Sequence, residues 1–314
     1  MTTEKEAIRI VETRFKQPVR SISRFQTGLC HYVYDIVTGN GQQVVARLTQ
    51  PGNEAALEGA VYWSERLRPE GVPLPELLDY DLSRQEFLHA YILLERLPGQ
   101  DLGEIYQNLL AAEKDRIAGE VARIQAIVGR FPVGPGYGFA TSYQTNLKAS
   151  WTEVVLGDLE RSRIRLEQAA IFKAEIVDRV QNRLARFESY FAKILPTPFL
   201  DDTTTKNVII HEGRLSGIVD VDMVCFGDPL FTVGLTRMAL LNLDYNPDYI
   251  GYWCEHLHLG GMQRQVLTGY TALFCVNFMS EIGQKFNRED PITADPTQVE
   301  KFYSLLDRLL AEPI

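Results

Sequence analysis

Two β-branched runs, "NVII" and "LSGIVDV", stand on either side of the four residues "HEGR". This spacing predicts an antiparallel hairpin that reverses near Glu212 and Gly213. Its return strand carries Asp220 back beside the loop that precedes Asn207. Asp202, Asn207 and Asp220 then meet at one end of the hairpin although 18 residues separate the outer two. Carboxylates and a neutral amide carbonyl so gathered form a hard-oxygen set. Such a set suits magnesium, whose octahedron substrate phosphates complete. The same residues in isolation also suit a turn cap, an Asx contact and a solvated strand end.

The rest of the chain divides into two regimes. An amphipathic helix is expected over residues 3–15 and a strand near "SISRFQ". "HYVYDIVT" and "QVVARLTQ" follow as a hairpin about Gly39, Asn40 and Gly41. "NEAALEGAVYWSERLR" has helical periodicity and ends at the Pro-rich "PEGVPLPELL". "FLHAYILLERLPGQDL" begins as a buried strand and turns at Pro98 and Gly99. Beyond it the pattern is mainly helical, over 103–129, 155–193 and 229–311. The Gly/Pro-rich "GRFPVGPGYGF" is read as a loop.

Composition narrows the classes. The chain has 314 residues, 45% hydrophobic and 23% charged, enough for a substantial core or two lobes. A net charge of -9 argues against general nucleic-acid binding, which needs concentrated Lys and Arg. Four dispersed cysteines without a CxxC pair fit free thiols in a reducing compartment better than a disulfide framework. No segment has the length and apolarity of a membrane span, and the first 15 residues lack a signal-peptide core. The expectation is a cytoplasmic protein with no membrane and no nucleic-acid partner. Oligomeric state is not legible.

Several ordered segments resemble the aminoglycoside phosphotransferase and choline-kinase-like superfamily, a branch of the protein-kinase-like fold, over roughly residues 20–280. "QTGLCHYVYDI" is similar to its nucleotide-covering strand-turn-strand, and "VVARL" to its phosphate-contacting basic strand. "LEGAVYWSERLRPEGVPLPELL" resembles its acidic helix, "YILLERLPGQDL" its hinge, and "FGDP" the segment after its metal-binding acid.

The resemblance implies an α+β, two-lobed protein-kinase-like fold. A mixed β/α N-lobe over 1–95 would bind nucleotide, and a mainly helical C-lobe over 96–314 would carry catalysis and the acceptor. It implies Asp202 as catalytic aspartate, with Asn207 and Asp220 as magnesium ligands. Arg47 would contact the nucleotide phosphates, with Glu58 as its ion-pair partner and Glu54 as the other acid of that helix. Gly28, Leu29 and Cys30 would form the turn over the nucleotide. Glu95, Arg96 and Leu97 would form the adenine-facing hinge, without separating ATP from GTP.

The implied reaction is ATP- and Mg²⁺-dependent phosphoryl transfer to a hydroxyl of a small molecule. Aminoglycosides and amino sugars are the implied acceptors, with antibiotic resistance as a corollary. Choline, sugar or homoserine kinase-like activity stays open, as do a nucleotide-binding pseudokinase or small-molecule binding module and a structural interaction protein. Asp244, Asp248, Glu255, Asn277 and Glu281 are candidates to line the acceptor site.

The chain also departs from the family's pattern. Leu200 and Asp201 precede Asp202 where His-Gly is usual, and "TTTK" precedes Asn207. Asp201 either adds a carboxylate to the site or points to solvent. Lys206 is read as neutralising the acids rather than acting in catalysis.

Overall fold

The computed structural model describes residues 2–25, 31–286 and 290–313. The elements run α1 (Thr3–Phe15), β1 (Val19–Arg24), β2 (Tyr32–Thr38), β3 (Gln43–Thr49), α2 (Glu54–Leu67), β4 (Leu77–Asp81), β5 (Ala90–Glu95) and β6 (Gln100–Asp101). They continue with α3 (Leu102–Ile105), α4 (Ala111–Val128), β7 (Gly138–Ala140), α5 (Trp151–Ala169), α6 (Ile176–Ala185), α7 (Glu188–Phe191), β8 (Thr197–Leu200), β9 (Val208–His211), β10 (Arg214–Ile218) and β11 (Val224–Gly227). The last four helices are α8 (Leu230–Asn242), α9 (Asp248–His256), α10 (Gly261–Glu281) and α11 (Pro296–Ala311). The architecture is a two-lobed α+β kinase-like fold, with a mixed β/α N-terminal region and a mainly helical C-terminal one.

The first lobe is built on a five-stranded antiparallel sheet in the order β1-β2-β3-β5-β4. Strand alternation sends Tyr34, Ile36, Val44, Ala46, Leu48, Tyr91 and Leu93 to one face, where Ala7, Ile10 and Val11 of α1 cover them. Ala90 and Ile92 face the other way, against Leu57, Ala60 and Val61 of α2. Each large side chain so buried contributes roughly 1.5–3 kcal/mol. Arg47 shares the α2-facing side of β3, which aims a charged residue into the cleft between the lobes.

The second lobe packs around α10, almost entirely buried from Val266 to Ser280. Trp151 of α5 donates to the Tyr270 hydroxyl (2.6 Å), which donates to Asp228 (2.9 Å). Asp228 also accepts from the Leu230 amide (3.0 Å), so the "FGDP" segment is bolted to α5 and α10 at the start of α8. The described cysteines, Cys225, Cys254 and Cys275, are buried and unpaired. Among the described residues, no helix is long and apolar enough to cross a membrane.

Four differences from the sequence reading have local causes. The helix expected over 103–129 is split into α3 and α4 by a 3-10 turn at Tyr106–Asn108 and an extended Leu110. Tyr106 is held there by the Asn246 carbonyl and Asp248, and Glu113 accepts from the Leu110 amide (2.8 Å), starting a new helix. The 155–193 pattern breaks after Ala169 because Ala170 takes a left-handed conformation (φ 52°). β4 was not foreseen behind its Pro-rich lead. β8 and β11 are four residues each and buried nearly throughout, so they show no period-two alternation.

Candidate active site

The predicted hairpin forms with Glu212 and Gly213 as its central turn residues (φ 49° and 72°), the pair of positive φ angles that a type I′ turn requires. β9 also pairs with β6, just after the inter-lobe connection. Gly99 is needed at that crossing, since a Cβ there would lie 2.1 Å from the Ile210 carbonyl oxygen. At the open end of the hairpin, the Val219 amide donates to the Asn207 carbonyl (2.9 Å). Asp220 follows at φ 64°, a conformation uncommon for a non-glycine residue and tolerated best by Asp and Asn. Backbone geometry thus brings Asp220 alongside the 202–207 loop.

Within that loop Asn207 donates through Nδ2 to the Asp202 carbonyl (3.1 Å), which leaves Oδ1 without a partner among the described residues. Asp202 accepts through one carboxylate oxygen from the amide and hydroxyl of Thr204 (3.2 and 2.6 Å). Its other oxygen lies 3.3 Å from Lys206 Nζ. Lys206 therefore sits on Asp202, whose charge holds the ammonium above its ordinary range. The Asp201 side chain takes no hydrogen bond from another described residue, only from its own backbone. Burial, reinforced by Asp202, pushes its carboxyl up to about 8.

Residues 200–207 are held by a set of buried supports from α4 and α8. Gln125 of α4 makes a two-way bond with the Leu200 backbone: its Nε2 donates to the carbonyl and its Oε1 accepts from the amide, both at 2.9 Å. Thr203 meets Thr232 hydroxyl to hydroxyl (3.1 Å), and Thr236 donates to the Thr203 carbonyl (3.4 Å). These residues are buried, so each bond fixes the loop where water does not compete. The "TTTK" segment supplies hydroxyls that hold the loop from within.

Arg47 reaches the site from β3. Its guanidinium pairs with Asp222 through Nη1 (2.7 Å) and Nη2 (2.8 Å), and Nη2 also reaches Asp220 (2.8 Å). His31 Nε2 meets Asp222 at 3.0 Å. Against the desolvation that burial imposes, Arg47 and His31 pull Asp222 down to about 2. Loss of water on its protein-facing side, with Asp222 and Asp202 nearby, pushes the Asp220 carboxyl up against the pull of Arg47 and Lys206. Among the described residues, one oxygen of Asp220 and Oδ1 of Asn207 stay uncommitted, and the Asp220 side chain is 47% exposed at the cleft. This oxygen set fits a hard divalent cation.

The structure does not bring Glu58 to Arg47. α2 turns Gly59 toward the site, so close to the Asp222 carbonyl that a Cβ would lie 2.1 Å from it. The preceding Glu58 points to solvent, about 100° away around a helix of 3.6 residues per turn. Glu54 is committed to the Gly52 amide (2.8 Å) and Arg84 (3.3 Å). The acids that pair with Arg47 lie on the hairpin exit. Asp222 and His31 were missed as site residues; the signals available were a second acid two residues after Asp220 and a histidine opening β2.

Glu95 ends β5, and Arg96 and Leu97 lead from it toward β6. The Glu95 amide is taken by the Glu76 carbonyl (2.8 Å). Arg96 bonds Asp35 (3.3 Å) and the Leu97 carbonyl (3.0 Å), while Leu97 packs on Gly217 of β10. Gly28, Leu29 and Cys30 lie outside the described residues.

Of the acceptor candidates, Asp244 pairs with Lys301 (2.6 Å) and Asp248 with Lys114 (3.1 Å). Asn277 is buried against Ser162 and Asp158, and Glu255 is exposed on α9. Glu281 alone lies close enough to Lys206 and Asp202 to interact electrostatically with both.

The chain matches the model of a phosphotransferase enzyme family over residues 21–264. No curated protein sequence matches it. Among solved structures it is similar to an apo thermostable mutant of aminoglycoside phosphotransferase APH(4)-Ia, with TM-score 0.69, 15% identity, and coverage of 98% of this chain and 100% of that one. A GDP complex of aminoglycoside 2′-phosphotransferase-IIIa gives TM-score 0.70 at 16% identity, covering 98% and 97%. A streptomycin-ATP ternary complex of APH(2″)-IIa gives 0.66 at 13%, with the same coverage. These likenesses concern the fold. With the family model spanning more than three quarters of the sequence, including Arg47, the 202–207 loop and the hairpin acids, the chain belongs to the phosphotransferase enzyme family.

Proposed function

We propose that this protein transfers the γ-phosphoryl group of ATP to a hydroxyl of a small, amine-bearing molecule of the aminoglycoside or amino-sugar class. Residues 1–95 act as the nucleotide lobe and residues 96–314 as the catalytic and acceptor lobe. The observation that carries the reading is the tie between Asn207, the Asp202 carbonyl and the Val219 amide, which holds three oxygen-bearing residues at one end of a cleft faced by Arg47. ATP and magnesium point to a cytoplasmic enzyme.

In this reading Asp202 accepts or orients the proton of the attacking hydroxyl. Thr204 fixes one of its oxygens and so aims the other. Asn207 and Asp220 would hold magnesium, which when bound would supply charge neutralisation at the nucleotide phosphates. Arg47, whose five donors stay charged, serves the phosphates while Asp222 and His31 steady it. Leu97 and its neighbours present backbone to the base of ATP or GTP. In this reading Glu281, within electrostatic reach of Arg165, Lys206, Arg161 and Asp202, stands on the acceptor side.

A second reading is favoured by the Lys206 contact on Asp202 (3.3 Å), which draws on the carboxylate that would serve as base. It makes the protein a nucleotide-binding module without transfer. The experiment that separates them measures Mg²⁺-dependent ADP formation against aminoglycosides, amino sugars, choline, homoserine and simple sugars, with mass detection of product. Acceptor-dependent product, reduced about 10²–10⁴-fold in Asp202→Asn, supports the enzyme. ATP binding with no product from any acceptor class favours the module.

A further inference from the structure

Lys206 is the one exposed residue between Thr203 and Ile210. The three threonines before it are buried, and the backbone around it is tied on both sides. The Asn207 amide donates to the Thr204 carbonyl (3.0 Å), and the Gly103 amide to the Thr205 carbonyl (3.1 Å). A fixed turn that hides its neighbours thus presents Lys206 alone outward. The ammonium lies 3.3 Å from Oδ2 of Asp202 and feels, more weakly, the charges of Asp220 and Glu281.

The contact with Asp202 does not exhaust this group. An ammonium has three donors, and Asp202 is its only hydrogen-bond or ion-pair partner among the described residues. The Lys206 side chain is 50% exposed, so water screens the pair and it does little for the stability of the fold. The loop is held instead by Gln125, Thr232 and Thr236, all buried. A flexible four-carbon stem lets the ammonium change partner without moving that backbone.

The charges around it give such a change a direction. Asp201, Asp202, Asp220 and Asp222 crowd one end of the cleft, and Arg47 is engaged there by Asp220 and Asp222. A phosphoryl group in transfer spreads negative charge over its equatorial oxygens. Lys206 is the basic side chain that touches the proposed base, Asp202, and stands within electrostatic reach of Asp220.

We propose that Lys206 is a catalytic residue of the transfer, its ammonium resting on Asp202 in the free protein and turning to the γ-phosphoryl oxygens when nucleotide binds. The inference rests on the phosphotransferase reading above and gives the Asp202 contact a use within it. The turn releases Oδ2 of Asp202. The acceptor hydroxyl oxygen then bonds to the γ-phosphorus while the bond from phosphorus to the bridging oxygen breaks. The electron pair of that bond leaves with ADP, and the hydroxyl proton passes to Oδ2. One side chain so masks the base until the phosphoryl group is in place, then answers the charge that develops on it.

The test first measures nucleotide affinity, which needs no acceptor. Calorimetric titrations with ADP and with the non-hydrolysable analogue AMP-PNP, both with Mg²⁺, compare wild type, Lys206→Met and Lys206→Arg in the full chain. Lys206→Met should weaken AMP-PNP about tenfold and leave ADP unchanged, since ADP has no γ-phosphate. Lys206→Arg, which keeps the charge, should retain most of the wild-type affinity for AMP-PNP. With any acceptor that gives product, Lys206→Met should also lower kcat about 10²-fold at unchanged acceptor KM. Equal weakening of both nucleotides, or of neither, overturns the inference and leaves the phosphotransferase reading intact. A wild type that binds neither nucleotide overturns that reading, and the inference with it.

Discussion

Arg47 and Asp222 meet as a two-pronged ion pair, Nη1 to Oδ1 at 2.7 Å and Nη2 to Oδ2 at 2.8 Å, with both side chains largely buried. It ties the N-terminal sheet to the exit of the hairpin, so the position of Asp220 depends on a residue 173 positions away. Truncating Arg47 leaves Asp222 largely buried with, among the described residues, only His31 opposite. Arg47→Ala is expected to destabilise the fold by about 3 kcal/mol. Arg47→Lys should recover only part, because an ammonium cannot make both prongs. Urea unfolding at pH 7 checks this, and a loss below about 1 kcal/mol contradicts it.

The same pair predicts an acid limb. Asp222 is depressed to about 2 in the folded state, against an unfolded carboxylate near ~3.9. A depressed carboxyl contributes stability above its unfolded pKa and loses it as pH falls through the folded one. Wild type should therefore lose about 2 kcal/mol between roughly pH 4 and pH 2 through this group. Asp222→Asn, compared over the same range by chemical unfolding, should show a shallower acid slope; an identical slope argues against the assignment.

Asp201 has the opposite sign. Its folded pKa is raised to about 8 by burial and by Asp202, with Asp222 and Asp220 adding to the repulsion. The folded state then holds a proton that the unfolded state has released, so stability falls as pH rises from about 4 toward 8. Asp201→Asn removes the penalty and should stabilise the protein by about 1 kcal/mol or more at pH 8, with little effect at pH 4. A variant no more stable than wild type at pH 8 would place the Asp201 side chain in solvent.

The elements legible in the sequence were those with strong periodicity or an unambiguous turn. α1, α2 and the β2–β3 hairpin stand within a residue or two of where pattern placed them, and the β9–β10 hairpin forms at the expected turn, although β10 ends at Ile218, three residues short of the apolar run. Convergence of Asn207 with Asp220 was legible for the same reason, since a two-residue turn leaves one register. The partner of Arg47 was not. Sequence offers two acids on α2 and no means of telling which faces the cleft. The answer lies in Gly59, whose missing Cβ lets the helix rest on the Asp222 backbone and turns Glu58 outward. The support of the 202–207 loop was equally hidden, because Gln125 is 75 residues from Leu200 and belongs to no motif.

That support yields the last expectation. Gln125 holds both backbone groups of Leu200, two residues before Asp202, and its Nε2 also reaches the Thr203 hydroxyl (3.3 Å). Gln125→Leu keeps the volume and removes every polar contact, leaving a buried amide and a buried carbonyl unpaired. A loss of about 2–4 kcal/mol is expected from two such groups. If the bond set positions Asp202, the variant should also lower kcat more than it raises KM for ATP, since the nucleotide contacts proposed for Arg47 are untouched. Thr232→Val should reproduce a weaker form of the same split, because only the Thr203 end is released. Equal losses in kcat and ATP affinity, or a loss of stability with kcat unchanged, would mean that Gln125 supports the lobe without aiming the loop.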